Sequence, residues 1–159
     1  MKKSHILRKI LYMFLCVLIL IPIGACSLIE LSYRTMEKSY YSDKNNFVEV
    51  TALCESLYLH ESGPRYYINV KNMTYEKTDS CEFSDYSFVV NRLNSVILKE
   101  ADIEKKITPG TTFKFVSAPR YFGDGYDCPI VAIEVDGEVL LDFETGYKNF
   151  MKKYFVRVQ

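Results

Sequence analysis

Apolar and polar residues alternate in several short stretches of the chain, and this pattern predicts a mainly β domain that begins near Phe47. The clearest alternation runs through 65–71, where one face carries Tyr66, Ile68 and Val70. The other stretches with strand character are 47–59, 86–90, 111–116, 130–135 and 138–143. Asp136 and Gly137 separate the last two, and they predict a hairpin because Asp-Gly supplies the two positive φ angles of a type I′ turn.

The first of these stretches has an apolar face that changes parity. Apolar residues lie at even positions as far as Ala52 and at odd positions from Leu53 onward. Successive side chains of a strand point to opposite faces, so the change requires a shift of one residue. The pattern therefore predicts a bulged or sharply bent first strand, shared by two layers of sheet.

Two stretches have a helical period instead. In 91–101 the apolar residues Leu93, Val96 and Ile97 recur at i, i+3 and i+4, and Asn91 is placed to cap the first turn. Near the C-terminus a second helix is indicated by Tyr147, Phe150, Met151 and Tyr154. The order is therefore three strands, a helix, two or three strands and a short C-terminal helix.

The N-terminus has the pattern of an export signal or a membrane anchor. Four basic residues, Lys2, Lys3, Arg8 and Lys9, precede an uncharged apolar run over 10–29. The positive-inside bias then places everything after Ile29 outside the cytoplasm, at the cell membrane. We expect three regions: 1–29 as signal peptide or transmembrane anchor, 30–46 as a polar linker without a regular period, and 47–159 as the folded domain.

Cys26 has two interpretations. The residues Ile23-Gly24-Ala25-Cys26 fit the lipobox of bacterial lipoproteins, which predicts cleavage after Ala25 and lipid attachment at Cys26. The apolar pattern continues past Cys26, however, and the run is long enough to cross a bilayer core of ~30 Å as an uncleaved helix. Both alternatives attach the domain to a membrane.

Charge and cysteine content narrow the class of partner. Residues 27–159 hold 16 of the 20 Lys and Arg residues and all 20 acidic residues, a formal net charge of −4. Binding to phosphate backbones is driven by basic side chains, so nucleic acid is not expected as a partner. Of the exported cysteines, Cys54, Cys81 and Cys128, at most two can pair within one chain, and the spacing assigns neither a disulfide nor a metal site.

The order of elements over 47–143 resembles the OB-fold, a five-stranded Greek-key barrel with a helix between its third and fourth strands. A further stretch, from Thr108 to Gly146, is similar to segments of small exported bacterial proteins, and that likeness implies no activity. The OB resemblance implies a ligand face on the second and third strands and the flanking loops. The residues so indicated are Tyr66, Tyr67 and Asn69 with the loop that contains Tyr121, Phe122 and Tyr126. The same loop adds Arg120, Asp124 and Asp127 as candidate contact residues.

No combination of residues in the sequence indicates catalysis, a metal or a cofactor. His60 lies in a turn-like segment beside Glu61 and Ser62, and adjacent residues cannot converge on one substrate as a catalytic triad does. The glycine-rich loop with Asp124 and Asp127 has too few oxygen ligands for a calcium site and is typical of a surface turn. We expect a non-catalytic accessory module that binds an envelope protein or a glycan. The alternative is an envelope enzyme or enzyme inhibitor that uses the loop 119–127.

Overall fold

The computed structural model of the 159-residue chain describes residues 29–60, 63–76, 83, 87–119 and 128–152. The chain divides into two compact units, Met1–Glu37 and Lys38–Gln159. The predicted apolar run before Ile29 and the lipidation candidate Cys26 lie outside the described residues. Among the described helices, none has the length and apolar character that a membrane span requires.

The second unit is built around a small closed barrel. After the last turn of helix α1, which is described over 29–42, its elements are β1 (Val48–His60), β2 (Arg65–Tyr75), β3 (Ser87–Val90), α2 (Arg92–Glu100), α3 (Ile103–Lys106), β4 (Thr112–Ser117), β5 (Cys128–Val135), β6 (Glu138–Leu141) and α4 (Phe143–Met151). The strands pair in the order β3-β2-β1-β4-β5-β6, and a parallel pairing of β3 with β5 closes the first five into a ring. A mainly β, closed five-stranded barrel is confirmed, and it is consistent with an OB-like fold.

The predicted change of buried face is present in β1, at a later position than the sequence indicated. Val50, Ala52 and Cys54 all point into the core, and the pairing with β2 shifts between Cys54 and Ser56. Beyond this bulge, partly buried apolar residues occupy odd positions. A second shift lies opposite Ala52, where β2 contains Asn72 with φ of 54°, a left-handed conformation that Asn tolerates.

The barrel core is continuous and rich in aromatic side chains. Phe88 packs edge-on against Phe115, with ring centroids 4.7 Å apart. The largest fully buried side chains are Tyr66, Phe88, Phe113, Phe115, Ile68, Leu98, Ile103, Ile107, Ile130, Ile133, Val50 and Val70. The predicted hairpin between β5 and β6 is also confirmed, with φ of 50° at Asp136 and 80° at Gly137.

Helix α2 forms where predicted, with the Asn91 side chain accepting from the Asn94 N–H. Of the three apolar residues predicted to face inward, Ile97 is partly buried against the core and the other two are not. Asn94, Ser95 and Leu98 are buried, whereas Leu93 and Val96 are exposed. Hydrogen bonds explain why two polar residues face inward. The Ser95 Oγ accepts from the Tyr66 N–H at 3.0 Å, and the Asn94 Nδ2 donates to the Gly146 oxygen at 3.0 Å.

Helix α4 begins at Phe143, earlier than the apolar period predicted, because the Asp142 side chain caps it. It packs outside the barrel in a second apolar layer of Tyr41, Phe47, Ala118, Val131, Phe150 and Met151. Lys44, in a 3-10 turn over Lys44–Asn46, places its Nζ 2.7 and 2.8 Å from the Glu144 oxygens. The same ammonium lies 5.1 Å from the centroid of the Tyr147 ring.

The segment predicted as a polar linker contains a helix, α1, over 29–42. Its residues up to Glu37 belong to the first unit and its last turn to the second, so the barrel unit starts before Phe47. An ion pair between Arg34 and Glu30, 2.7 Å apart at i and i+4, supports the first part of α1.

Candidate functional site

Two tyrosine rings stack on the outer surface of the barrel, across β1 and β2. Tyr58 and Tyr67 are paired directly in the antiparallel register, with ring centroids 5.3 Å apart and planes within 8° of parallel. Tyr58 keeps 48% of its surface exposed. The bulge after Cys54 produces this arrangement, because it turns Tyr58 outward to the side on which β2 presents Tyr67.

Polar side chains flank the two rings. The Asn69 Nδ2 donates to the Ser56 Oγ at 2.9 Å, and these residues are also direct partners in the register. The His60 ring lies 5.9 Å from that of Tyr67, tilted by 53°. We call the five residues Ser56, Tyr58, His60, Tyr67 and Asn69 the tyrosine platform. It combines exposed aromatic surface with amide, hydroxyl and imidazole groups that can hydrogen-bond a ligand.

The structure brings Tyr67 and Asn69 together on this platform but places Tyr66 in the core. Tyr66 is fully buried, and its hydroxyl donates to the Glu104 Oε1 at 2.9 Å. Burial, with a smaller contribution from Glu104, raises the pKa of Tyr66 to about 12, so the phenol stays protonated and remains the donor. Tyr66 packs the barrel rather than lining its surface.

The loop candidates Arg120, Tyr121, Phe122, Asp124, Tyr126 and Asp127 lie outside the described residues. The enzyme or inhibitor alternative depends on that loop and stays a prediction. Of the residues 119–127, the structure describes Pro119 alone, and it is buried.

Sequence reasoning missed Ser56, Tyr58 and His60 as neighbours of Tyr67 and Asn69. His60 ends β1 as an exposed residue, rather than lying in a turn. The parity change carried the relevant signal, since residues beyond a bulge reverse their facing. The parity change in β1 does not show which residue of β2 pairs with which residue of β1, because the register also depends on β2.

A shallow groove of about 250 Å³ lies elsewhere on the barrel unit, across the outer face of β4, β5 and β6. Val116 and Ala132 contribute apolar surface, and the Lys114 Nζ lies 3.6 Å from the Glu49 Oε1. Glu134 is the register partner of Lys114 on β5. This groove carries both signs of charge and lacks the paired aromatic surface of the platform.

The described residues hold no group of three or more His, Cys, Asp or Glu side chains placed to bind a metal ion. Cys54 is a free thiol inside the barrel, and burial raises its pKa, so the reactive thiolate is disfavoured there. Cys128 is buried as well, and Cys81 lies outside the described residues.

The class that these observations define is a closed five-stranded barrel, consistent with an OB-like fold, with an aromatic platform on the outer face of β1 and β2. Comparison of the chain with protein-family models, with curated proteins and with solved structures finds no match. The functional assignment therefore depends on the chemistry of the site itself.

Proposed function

We propose that the protein is a non-catalytic binding module, held at the extracytoplasmic face of the cell membrane by its N-terminal segment. The observation that carries the binding role is the stacked Tyr58 and Tyr67 pair, which exposes aromatic surface beside hydrogen-bonding groups. Tyrosine is favoured at contact surfaces because it brings a large apolar face and a polar tip at low entropic cost.

The basic residues and the uncharged run over 10–29 support the anchor. The two forms of attachment differ in mass, since lipidation is accompanied by removal of the leader, which leaves Cys26 as the first residue. An intact mass of the protein from its native membrane that matches an acylated chain starting at Cys26 would establish the lipid anchor. The mass of the full chain would establish the helix instead.

The partner class that fits the platform is an envelope protein or a glycan. Aromatic rings stack on the apolar face of a sugar or on the planar groups of a protein side chain, and the Asn69 amide and Ser56 hydroxyl can reach adjacent polar atoms. The net charge of −4 over 27–159 disfavours polyanions such as nucleic acid.

Alanine at the two tyrosines tests the platform in the full-length chain. Photo-crosslinking in native membranes would report a protein partner, and a glycan array probed with the detergent-solubilised chain would report a sugar. We expect Tyr58→Ala and Tyr67→Ala each to weaken binding by about tenfold or more, the effect of losing one aromatic contact residue.

The matched control is Val139→Ala, which removes an apolar side chain that is also exposed but lies on β6. It should bind as the unmodified chain does. Thermal melting of all three variants checks that the barrel is intact. Binding that survives loss of both rings would rule the platform out as the contact surface.

A further inference from the structure

The first part of α1 has an exposed apolar stripe. Ile29, Tyr33 and Met36 occupy positions i, i+4 and i+7, and they expose 56%, 55% and 49% of their surface. Side chains with this spacing lie above one another on one face of a helix. The described part of the first unit therefore presents three large apolar residues in a row.

A depression of about 200 Å³ lies on the same face. Of the described residues, Ile29, Ser32, Tyr33 and Met36 line it, at positions i, i+3, i+4 and i+7. Four residues with this spacing form the hole that accepts one side chain of a facing helix in a coiled coil. The small Ser32 leaves room at the side of the hole.

We propose that two copies of this chain associate through a parallel coiled coil formed by the stripe on α1. The steps of four and three residues between Ile29, Tyr33 and Met36 are those of heptad positions d, a and d. In a two-fold dimer each copy supplies the same residues as knobs and as holes, so one surface satisfies both roles.

The charges beside the stripe favour the parallel orientation. Glu30 and Glu37 occupy the e positions of these heptads, and Ser32 occupies a g position. In a parallel pair, e of one helix faces g of the other, which places Glu37 beside Ser32. In an antiparallel pair e faces e, which would bring the carboxylates of Glu30 and Glu37 together and cost energy.

A partner helix would also add to the stability of α1. Burial of the stripe against a second copy supplies the tertiary contacts that stabilise helices in proteins. The dimer does not involve the tyrosine platform, so failure of either proposal leaves the other standing.

Photo-crosslinking of the full-length chain in its native membrane tests the dimer. Benzoylphenylalanine placed at position 33 or 36 should give a covalent dimer in high yield. The matched control is position 31, because Leu31 is just as apolar and is 63% exposed but lies off the stripe. Equal yields from positions 31 and 33, or no dimer from position 36, would overturn the proposal.

Trypsin cleavage after Arg34 identifies the orientation, because it separates the peptide with Ile29 from the peptide with Met36. A parallel pair joins position 36 to the tryptic peptide 35–38 of the second copy. Attachment to the Ile29 peptide would exclude the parallel arrangement.

Substitution provides an independent measurement. Met36→Asp should lower the dimer yield from position 33 by at least about tenfold, since it places a charge in the seam of each copy. Leu31→Asp should leave the yield unchanged. Melting of the barrel in both variants checks that the second unit is intact, and an equal fall in yield for both variants would contradict the assigned face.

Discussion

At the scale of single residues, Gly146 is the described glycine that leaves no room for a Cβ, because it lies against the backbone of Val131. A Cβ at position 146 would overlap the Val131 carbonyl oxygen and lie 2.8 Å from its carbonyl carbon. Neither atom can move without shifting β5, because both belong to the backbone of that strand. Gly146 thus sets how closely α4 approaches the barrel.

We expect Gly146→Ala to lower the free energy of unfolding by about 2–4 kcal/mol, because α4 must move away from β5. Gly63→Ala is the matched control, since a Cβ there meets no atom within 4 Å and the residue does not need a positive φ. Urea unfolding of both variants measures the difference. A Gly146→Ala variant as stable as Gly63→Ala would show that α4 does not depend on this close approach.

At the scale of elements, the first residue of α4 is set by its N-cap, which the spacing of the apolar residues does not indicate. The Asp142 Oδ1 accepts from the Thr145 N–H at 2.9 Å, so the helix starts four residues before Tyr147. That backbone hydrogen bond lowers the pKa of Asp142 from its usual range. A carboxylate with a lowered pKa stabilises the fold above that pKa and loses the contribution as the pH falls through it.

Asp142→Ala should therefore destabilise the protein by about 1 kcal/mol near neutral pH, since alanine cannot cap. Asp142→Asn should keep most of the cap and lose its pH dependence, because its amide oxygen accepts the same bond without titrating. Urea unfolding at about pH 7 and about pH 3 compares the two variants with the unmodified chain. The free energy of unfolding of the unmodified chain should fall relative to that of the Asp142→Asn variant between these two pH values. An unchanged difference between the two chains would contradict a lowered pKa for Asp142.

At the scale of the whole molecule, the barrel unit extends further toward the N-terminus than its alternating pattern indicates. Tyr41 is 4% exposed, and its ring centroid lies 5.2 Å from that of Phe150 and 6.0 Å from that of Phe47. The end of α1 is therefore part of the apolar layer that covers α4, and Lys44 adds its bond to Glu144.

We expect a fragment of residues 38–159 to unfold cooperatively and a fragment of 47–159 to be less stable by about 3–5 kcal/mol, the usual cost of losing a buried aromatic side chain. Guanidinium unfolding monitored by circular dichroism measures both. Tyr41→Ala in the longer fragment should reproduce most of the loss. Equal stability of the two fragments would place the boundary at Phe47 after all.

Prediction from the sequence succeeded where the determinants are local and failed where two elements must meet. The Asp136-Gly137 hairpin and the Asn91 cap each depend on residues within one turn. Leu93 and Val96 of α2 were predicted to be buried and are exposed. Asn94 and Ser95 face inward instead, because β2, β3 and α4 supply their hydrogen-bond partners. The spacing of apolar residues along the helix does not show hydrogen-bond partners on other elements.

Local sequence patterns specify the strands, the helix between the third and fourth of them, and the existence of a bulge in β1, since alternation and capping are properties of a continuous segment. Tertiary structure alone decided that β3 pairs with β5 to close the barrel, that Tyr58 stands beside Tyr67, and that Tyr66 is buried. These outcomes depend on which residue of one strand faces which residue of another. That register follows from closing the whole ring around its core, and no single segment encodes it.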